Sequence, residues 1–217
     1  MDQDRPIRDG KETGRVEAFS DGVFAIAITL LILEIKVPHH VANASDAALT
    51  AALLQLWPSF TAFVVSFFAI LIMWINHHGL FRMLVRVDSR FLFANGFLLL
   101  LVTFVPFPTG LLAEYLGHPG ANAAAAFYCG TFILISVAYN LLWHAASANR
   151  RLLAPHVPQA HVIKIRRAYQ WGFLVYVGAT LLALWSAPAG LAVCLSLWVL
   201  WTILNYSPTE SPQSVKG

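Results

Sequence analysis

The chain has 217 residues, of which 58% are hydrophobic and only 12% charged, and its mean hydropathy is +0.66. That is too little charge to coat a soluble domain of this length, which excludes an ordinary water-soluble enzyme or binding module. The net charge of +3 in so apolar a chain points to cytoplasmic loops of a membrane protein, with no nucleic-acid partner expected.

The N-terminus does not read as a cleavable signal. Residues 1–17 mix Asp2, Asp4, Asp9, Glu12 and Glu17 with Arg5, Arg8, Lys11 and Arg15. No small-residue cleavage site follows the first apolar run, which ends at Lys36-Val37-Pro38. Six apolar runs follow, at 18–36, 57–76, 91–113, 121–144, 169–187 and 189–205. They predict an all-α integral membrane protein of six transmembrane helices in a lipid bilayer. The domain reading is a cytoplasmic segment over 1–17, one transmembrane domain over 18–206, and a flexible cytoplasmic tail over 207–217. Pro188 and Gly190 punctuate the last two runs and predict a tight helical hairpin. Pro155 and Pro158 predict a loop or broken surface helix within 145–168.

Of the fourteen Lys and Arg, thirteen fall before the first run, in the second and fourth connections, or in the tail. Only Lys36 lies on the other side. This asymmetry predicts that both termini face the cytoplasm.

The first helix carries Asp21 one turn inside apolar sequence, where a carboxylate must face protein or water. At 100° per residue, Ile26, Leu30 and Leu33 form one stripe, extended by Phe19 and Gly22 and flanked by Thr29. Asp21 points off that stripe. The second helix closes with Trp74-Ile75-Asn76-His77-His78. Running antiparallel, it brings Asn76 and His77 to the level of Asp21. These two and Arg15 are the expected partners of the carboxylate. An aliphatic stripe also suits lipid or packing, and Asp21 read alone suits permeation as well as structure.

Arg15-x-x-x-Phe19-Ser20-Asp21-Gly22, Ala25-Ile26-Ala27-Ile28-Thr29-Leu30-Leu31 and Trp74-x-Asn76-His77-His78 together resemble the potassium channels called transmembrane protein 175, in their prokaryotic single-repeat form. The resemblance spans nearly the whole chain. It implies a homotetramer in the cell membrane, with four copies of the first helix around a pore and no Gly-Tyr-Gly filter. It implies that Ile26, Leu30 and Leu33 form the constriction, with Thr29 beside it. Arg15, Phe19, Ser20, Asp21, Trp74, Asn76 and His77 are implied to form a structural network between helices. The implied function is a cation channel, weakly selective for potassium over sodium, with K+ as the permeant ion and no cofactor.

Other readings are weaker on the residues. His77 and His78 point about 100° apart and make a poor ligand pair; His144 is a lone addition near the same side. Cys129 and Cys194 sit in apolar runs and read as small hydrophobes. Asn95, Thr103, Asn140, Pro106 and Pro108 read as packing or kink residues. Glu34 attracts cations at the outer mouth, pairs with Lys36, or lies in solvent. A secondary transporter would favour charges near the midplane, whereas these lie near helix ends. An intramembrane enzyme would need a nucleophile-base pair or metal cluster, and no convincing set is present. Proton flux through the same pore is the remaining alternative.

Overall fold

Helix α1 (Arg5–Leu30) runs on into a 3-10 turn, Leu31–Glu34. The computed structural model describes residues 5–38 and 45–203. The start of the expected N-terminal segment (1–4), residues 39–44 and the expected tail (207–217) lie outside the described residues. Helicity begins well before the apolar run, because Arg8, Lys11, Glu12 and Glu17 are good helix formers and no proline interrupts residues 7–37.

The remaining helices are α2 (Asp46–Gln55), α3 (Trp57–Phe81), α4 (Ser89–Phe104), α5 (Pro106–Tyr115), α6 (Ala121–Ser147), α7 (Gln159–Ala183) and α8 (Ala187–Ile203). The described residues contain no strand, and the fold is all-helical. Among the described residues, four stretches are long and apolar enough to cross a membrane: Gly10–Glu34, Trp57–Phe81, Ser89–Tyr115 and Ala121–Ser147. The fifth and sixth apolar runs fall on α7, which begins ten residues before its run, and on the shorter α8.

Sequence chemistry sets the boundaries. Ser45 caps α2, its Oγ accepting from the Ala48 amide at 3.2 Å. That short helix was not expected; it buries no residue. Asp88 caps α4 in the same way, accepting from the Phe91 amide at 2.9 Å. Pro106 and Pro108 cannot donate to the preceding turn, so the span Ser89–Tyr115 breaks at Val105 into α4 and α5. Pro158 likewise precedes α7 and fixes its start.

Helix α6 is the central post, packed against α4, α5, α7 and α8. Ala124, Ala125, Ala138 and Ala146 are buried along it and let neighbouring backbones approach. The α7–α8 hairpin turns within three residues and closes tightly. A Cβ on Gly190 would lie 2.4 Å from Ala183 Cβ and 2.6 Å from its Cα. Asn122 at the start of α6 holds this hairpin, accepting from the Ala187 amide at 2.9 Å and donating to the Trp185 carbonyl at 3.2 Å.

At the other end, the segments after α3 and α6 clip together. The Val85 amide donates to Leu152 O at 2.9 Å, and the Ala154 amide to Met83 O at 2.8 Å. Arg86 Nε donates to Arg151 O at 2.9 Å. The second and fourth connections, rich in Arg, therefore meet at one end of the bundle.

Candidate functional site

Helix α1 divides sharply by face. Phe24 and Ala27 are buried on the side that meets α3 and α4, and Leu31, in the 3-10 turn, on the side that meets α3 and α5. Ile26, Leu30 and Leu33 are 58%, 40% and 60% exposed. The face opposite the bundle is thus aliphatic and uncovered by its own chain. Leu33 stays in line with Leu30 because Leu31–Glu34 is a 3-10 turn, in which residues three apart eclipse. Thr29 is exposed beside this ladder, and its hydroxyl donates to Ile26 O at 2.9 Å. The donor is used internally, so the oxygen lone pairs are what the hydroxyl presents outward.

On the inner side of α1, the Asp21 carboxylate accepts from Trp74 Nε1 at 2.8 Å. This corrects the expected partner set. Arg15 is exposed and makes no ion pair among the described residues. His77 and Asn76 turn elsewhere. The reason is helical phase: Trp74 and His78, four residues apart, share the face of α3 that meets α1, and His77 is rotated by about 100° from His78. His78 Nδ1 accordingly reaches Glu17 Oε1 at 2.8 Å and stacks on Trp74.

His77 points to α4. Its Nε2 donates to Asn95 Oδ1 at 2.8 Å, Asn95 Nδ2 donates to Ser20 Oγ at 2.9 Å, and Ser20 Oγ donates to Val16 O at 2.9 Å. Every donor in this buried chain runs in one direction, an arrangement in which each bond polarises the next. Phe24 and Phe81 enclose the imidazole, with ring centroids at 5.2 and 4.6 Å. Asn76, about 200° from Trp74, faces a small cavity between α3, α6, α7 and α8, where its Oδ1 has no partner. Phe19 is exposed and joins neither network.

Of the seven expected network residues, the structure joins Asp21 to Trp74 and Ser20 to His77, the latter through Asn95. Asn95 had read as a packing residue. A second buried set was not expected at all: Thr109 Oγ1 donates to Ser66 Oγ at 2.7 Å, and Ser66 Oγ lies 3.1 Å from Tyr128 Oη. The available signal was the presence of lone polar residues inside apolar spans, each of which needs a partner in lipid.

Glu34 turns toward α5, where its carboxylate fills the space that a side chain on Gly110 would occupy. Lys36 donates to Leu33 O at 2.8 Å rather than to Glu34. Cys129 and Cys194 are buried free thiols. Among the described residues, no group of three or more His, Cys, Asp or Glu is placed to hold a metal.

Comparison with known proteins bears on this arrangement. The family model described as endosomal/lysosomal potassium channel TMEM175 matches residues 15–106, the stretch holding the Asp21–Trp74 and Ser20–Asn95–His77 contacts. A potassium channel from Chamaesiphon minutus is 51% identical over 193 residues, covering 88% of this chain and 94% of the relative. A potassium channel from Streptomyces collinus is 47% identical over 184 residues, covering 83% and 87%. The zebrafish (Danio rerio) endosomal/lysosomal proton channel TMEM175 is 34% identical over 150 residues, covering 66% of this chain and 29% of the relative. Among solved structures, a lysosomal potassium-selective channel TMEM175 homolog from Chamaesiphon minutus superposes with a TM-score of 0.79 at 48% identity, covering 88% of this chain and 97% of that one.

Proposed function

The chain belongs to the TMEM175 family of cation channels, and on that premise we propose that it is a potassium channel, weakly selective over sodium, gated by a hydrophobic constriction on α1. The protein is a multi-pass membrane protein of an ion-channel family, not an enzyme. In the proposal it sits in the cell membrane with six spans and both termini cytoplasmic. Four copies enclose the pore, because one helix cannot surround an aqueous path and a closed ring can.

The observation that carries the reading is the uncovered ladder of Ile26, Leu30 and Leu33. Helix α1 packs its inner face against α3 and α4 while leaving its largest aliphatic side chains outside. Brought to a common axis, they make stacked rings about 10 Å deep, a large part of the ~30 Å hydrocarbon core. A narrow aliphatic ring expels water, and an ion cannot cross it dry. Widening it admits water, and Thr29 oxygens beside the ring help to replace the hydration that the ion loses. Potassium is dehydrated more easily than sodium, which sets the direction of preference. The Asp21–Trp74 and Ser20–Asn95–His77 contacts serve as the frame that holds α1 in this orientation.

The second reading is proton conduction through the same pore. Its support is the name of the animal relatives, which are called proton channels.

Reconstitution of the purified protein in liposomes, with potassium, sodium and proton gradients imposed in turn, tests both. Potassium flux exceeding sodium flux is expected. Proton flux without potassium flux would select the second reading, and absence of all three would reject the channel assignment at this site.

A further inference from the structure

A groove of about 380 Å3 opens between α4 and α6, at the end where the two Arg-rich connections meet. Its rim carries Arg90, Arg151 and His144, and its floor carries Phe93, Phe97 and Leu141. Arg90 is the second residue of α4. Phe93 and Phe97 lie roughly 5 and 10 Å deeper along the same helix. The groove is therefore cationic at the membrane surface and apolar below it.

The rim charges are available. Neither Arg90 nor Arg151 pairs with a carboxylate among the described residues. Asp88 also lines the groove, but one of its carboxylate oxygens accepts the Phe91 amide as the cap of α4. The Arg151 backbone is fixed by Arg86, which donates to its carbonyl. The neighbouring Arg150 guanidinium is drawn away to Gln159 and Val157. The floor is uncovered as well: Phe93 is 81% exposed and Leu141 49%.

From this juxtaposition we propose that the α4–α6 groove binds one anionic glycerophospholipid. Its headgroup phosphate lies between Arg90 and Arg151, and an acyl chain lies over Phe93, Phe97 and Leu141. A soluble anion would satisfy the rim and leave the floor wet. A zwitterionic lipid would cover the floor without a net charge for the rim. Only an anionic amphiphile matches both, and basic clefts at the cytoplasmic ends of spans have this affinity. The proposal rests on the membrane placement of the bundle and not on which ion permeates.

Native mass spectrometry of the detergent-solubilised full-length assembly tests it, with dioleoylphosphatidylglycerol and dioleoylphosphatidylcholine supplied at equal concentration. Wild type is expected to retain the anionic lipid in preference. Arg90→Gln/Arg151→Gln should lower that retention about tenfold. Arg166→Gln/Arg167→Gln, which removes the same charge from exposed positions on α7, should leave it unchanged. Phe93→Ala should weaken retention through the floor with the rim intact, and millimolar inorganic phosphate should not displace the lipid. Retention that survives the groove variants, falls equally in the α7 variant, or yields to inorganic phosphate overturns the site. A protein that conducts normally but shows no lipid preference overturns this site alone and leaves the channel reading standing.

Discussion

Trp74 and Asp21 meet through one hydrogen bond of 2.8 Å, the indole donating to a carboxylate that lies at the level of an apolar helix turn. This contact joins α1 to α3 beside the aliphatic ladder. It gives the carboxylate a partner without neutralising its charge.

Removing either side should therefore weaken the frame. Trp74→Phe leaves the carboxylate without its donor, at a cost of about 2 kcal/mol for a hydrogen bond to a charged group. Asp21→Ala should act in the same direction. Size-exclusion chromatography and thermal denaturation in detergent should show loss of stable assembly. An Asp21→Ala protein that assembles normally and conducts with altered selectivity would instead make Asp21 a permeation residue.

Asn95→Leu should be at least as severe. It strands the fully buried His77 imidazole, at roughly 1–3 kcal/mol, and removes the donor to Ser20, whose hydroxyl keeps its bond to Val16 O. The melting temperature should fall more than for Asn140→Leu, whose side chain bonds only to backbone carbonyls of Ser136 and Tyr169. Equal effects would refute a special role for the hub.

The polarity of the ladder is testable directly. If the ladder is the proposed constriction, Ile26→Asn should wet it, raise leak current and lower the potassium-to-sodium permeability ratio. Ala25→Asn and Ile32→Asn, off the stripe, should do neither. An assembled Ile26→Asn channel with unchanged conductance and selectivity assigns the stripe to packing or lipid.

Gly190→Ala tests the hairpin. The added methyl meets the Ala183 backbone and side chain, which has no flexible end to move aside. Overpacking of this kind costs about 1–3 kcal/mol. Thermal unfolding should reveal it, with ion selectivity preserved in the fraction that remains folded.

Orientation follows from charge and can be read by labelling. Single cysteines at Val85 and Pro155 should resist an impermeant external thiol reagent, whereas one at Ser45 should react. All three positions are exposed, and native Cys129 and Cys194 are buried and should stay silent. External labelling at position 155 would invert the topology.

Much of the fold was legible because bilayer spans and prolines leave strong marks: Pro106, Pro158 and Pro188 each stand at a helix start or break. The short α2 left no such mark, since it packs no buried face. The need for a partner at Asp21 was readable from its apolar surroundings, and the antiparallel register correctly brought the end of α3 to that level. Which side chain of Trp74, Asn76 and His77 reaches it depends on the rotation of α3 about its axis. That rotation is set by packing against α5, α1 and α8, which one helix's periodicity does not contain. The same gap hid Asn95, whose partners lie on two other helices.

The 3-10 turn at Leu31–Glu34 gives the ladder a built-in screw. A 3-10 turn advances about 120° per residue and an α-helix about 100°. Rewinding Leu31–Glu34 as α-helix would swing Leu33 by roughly 60° relative to Leu30 and shorten the segment by about 2 Å. Leu33 would leave the line of Leu30 and swing across the stripe to within about 20° of Ile26, while Ile26 and Leu30 kept their places. A side chain at that position is thus tied to the winding of four residues, so its bearing toward the axis can change without any helix of the bundle being displaced.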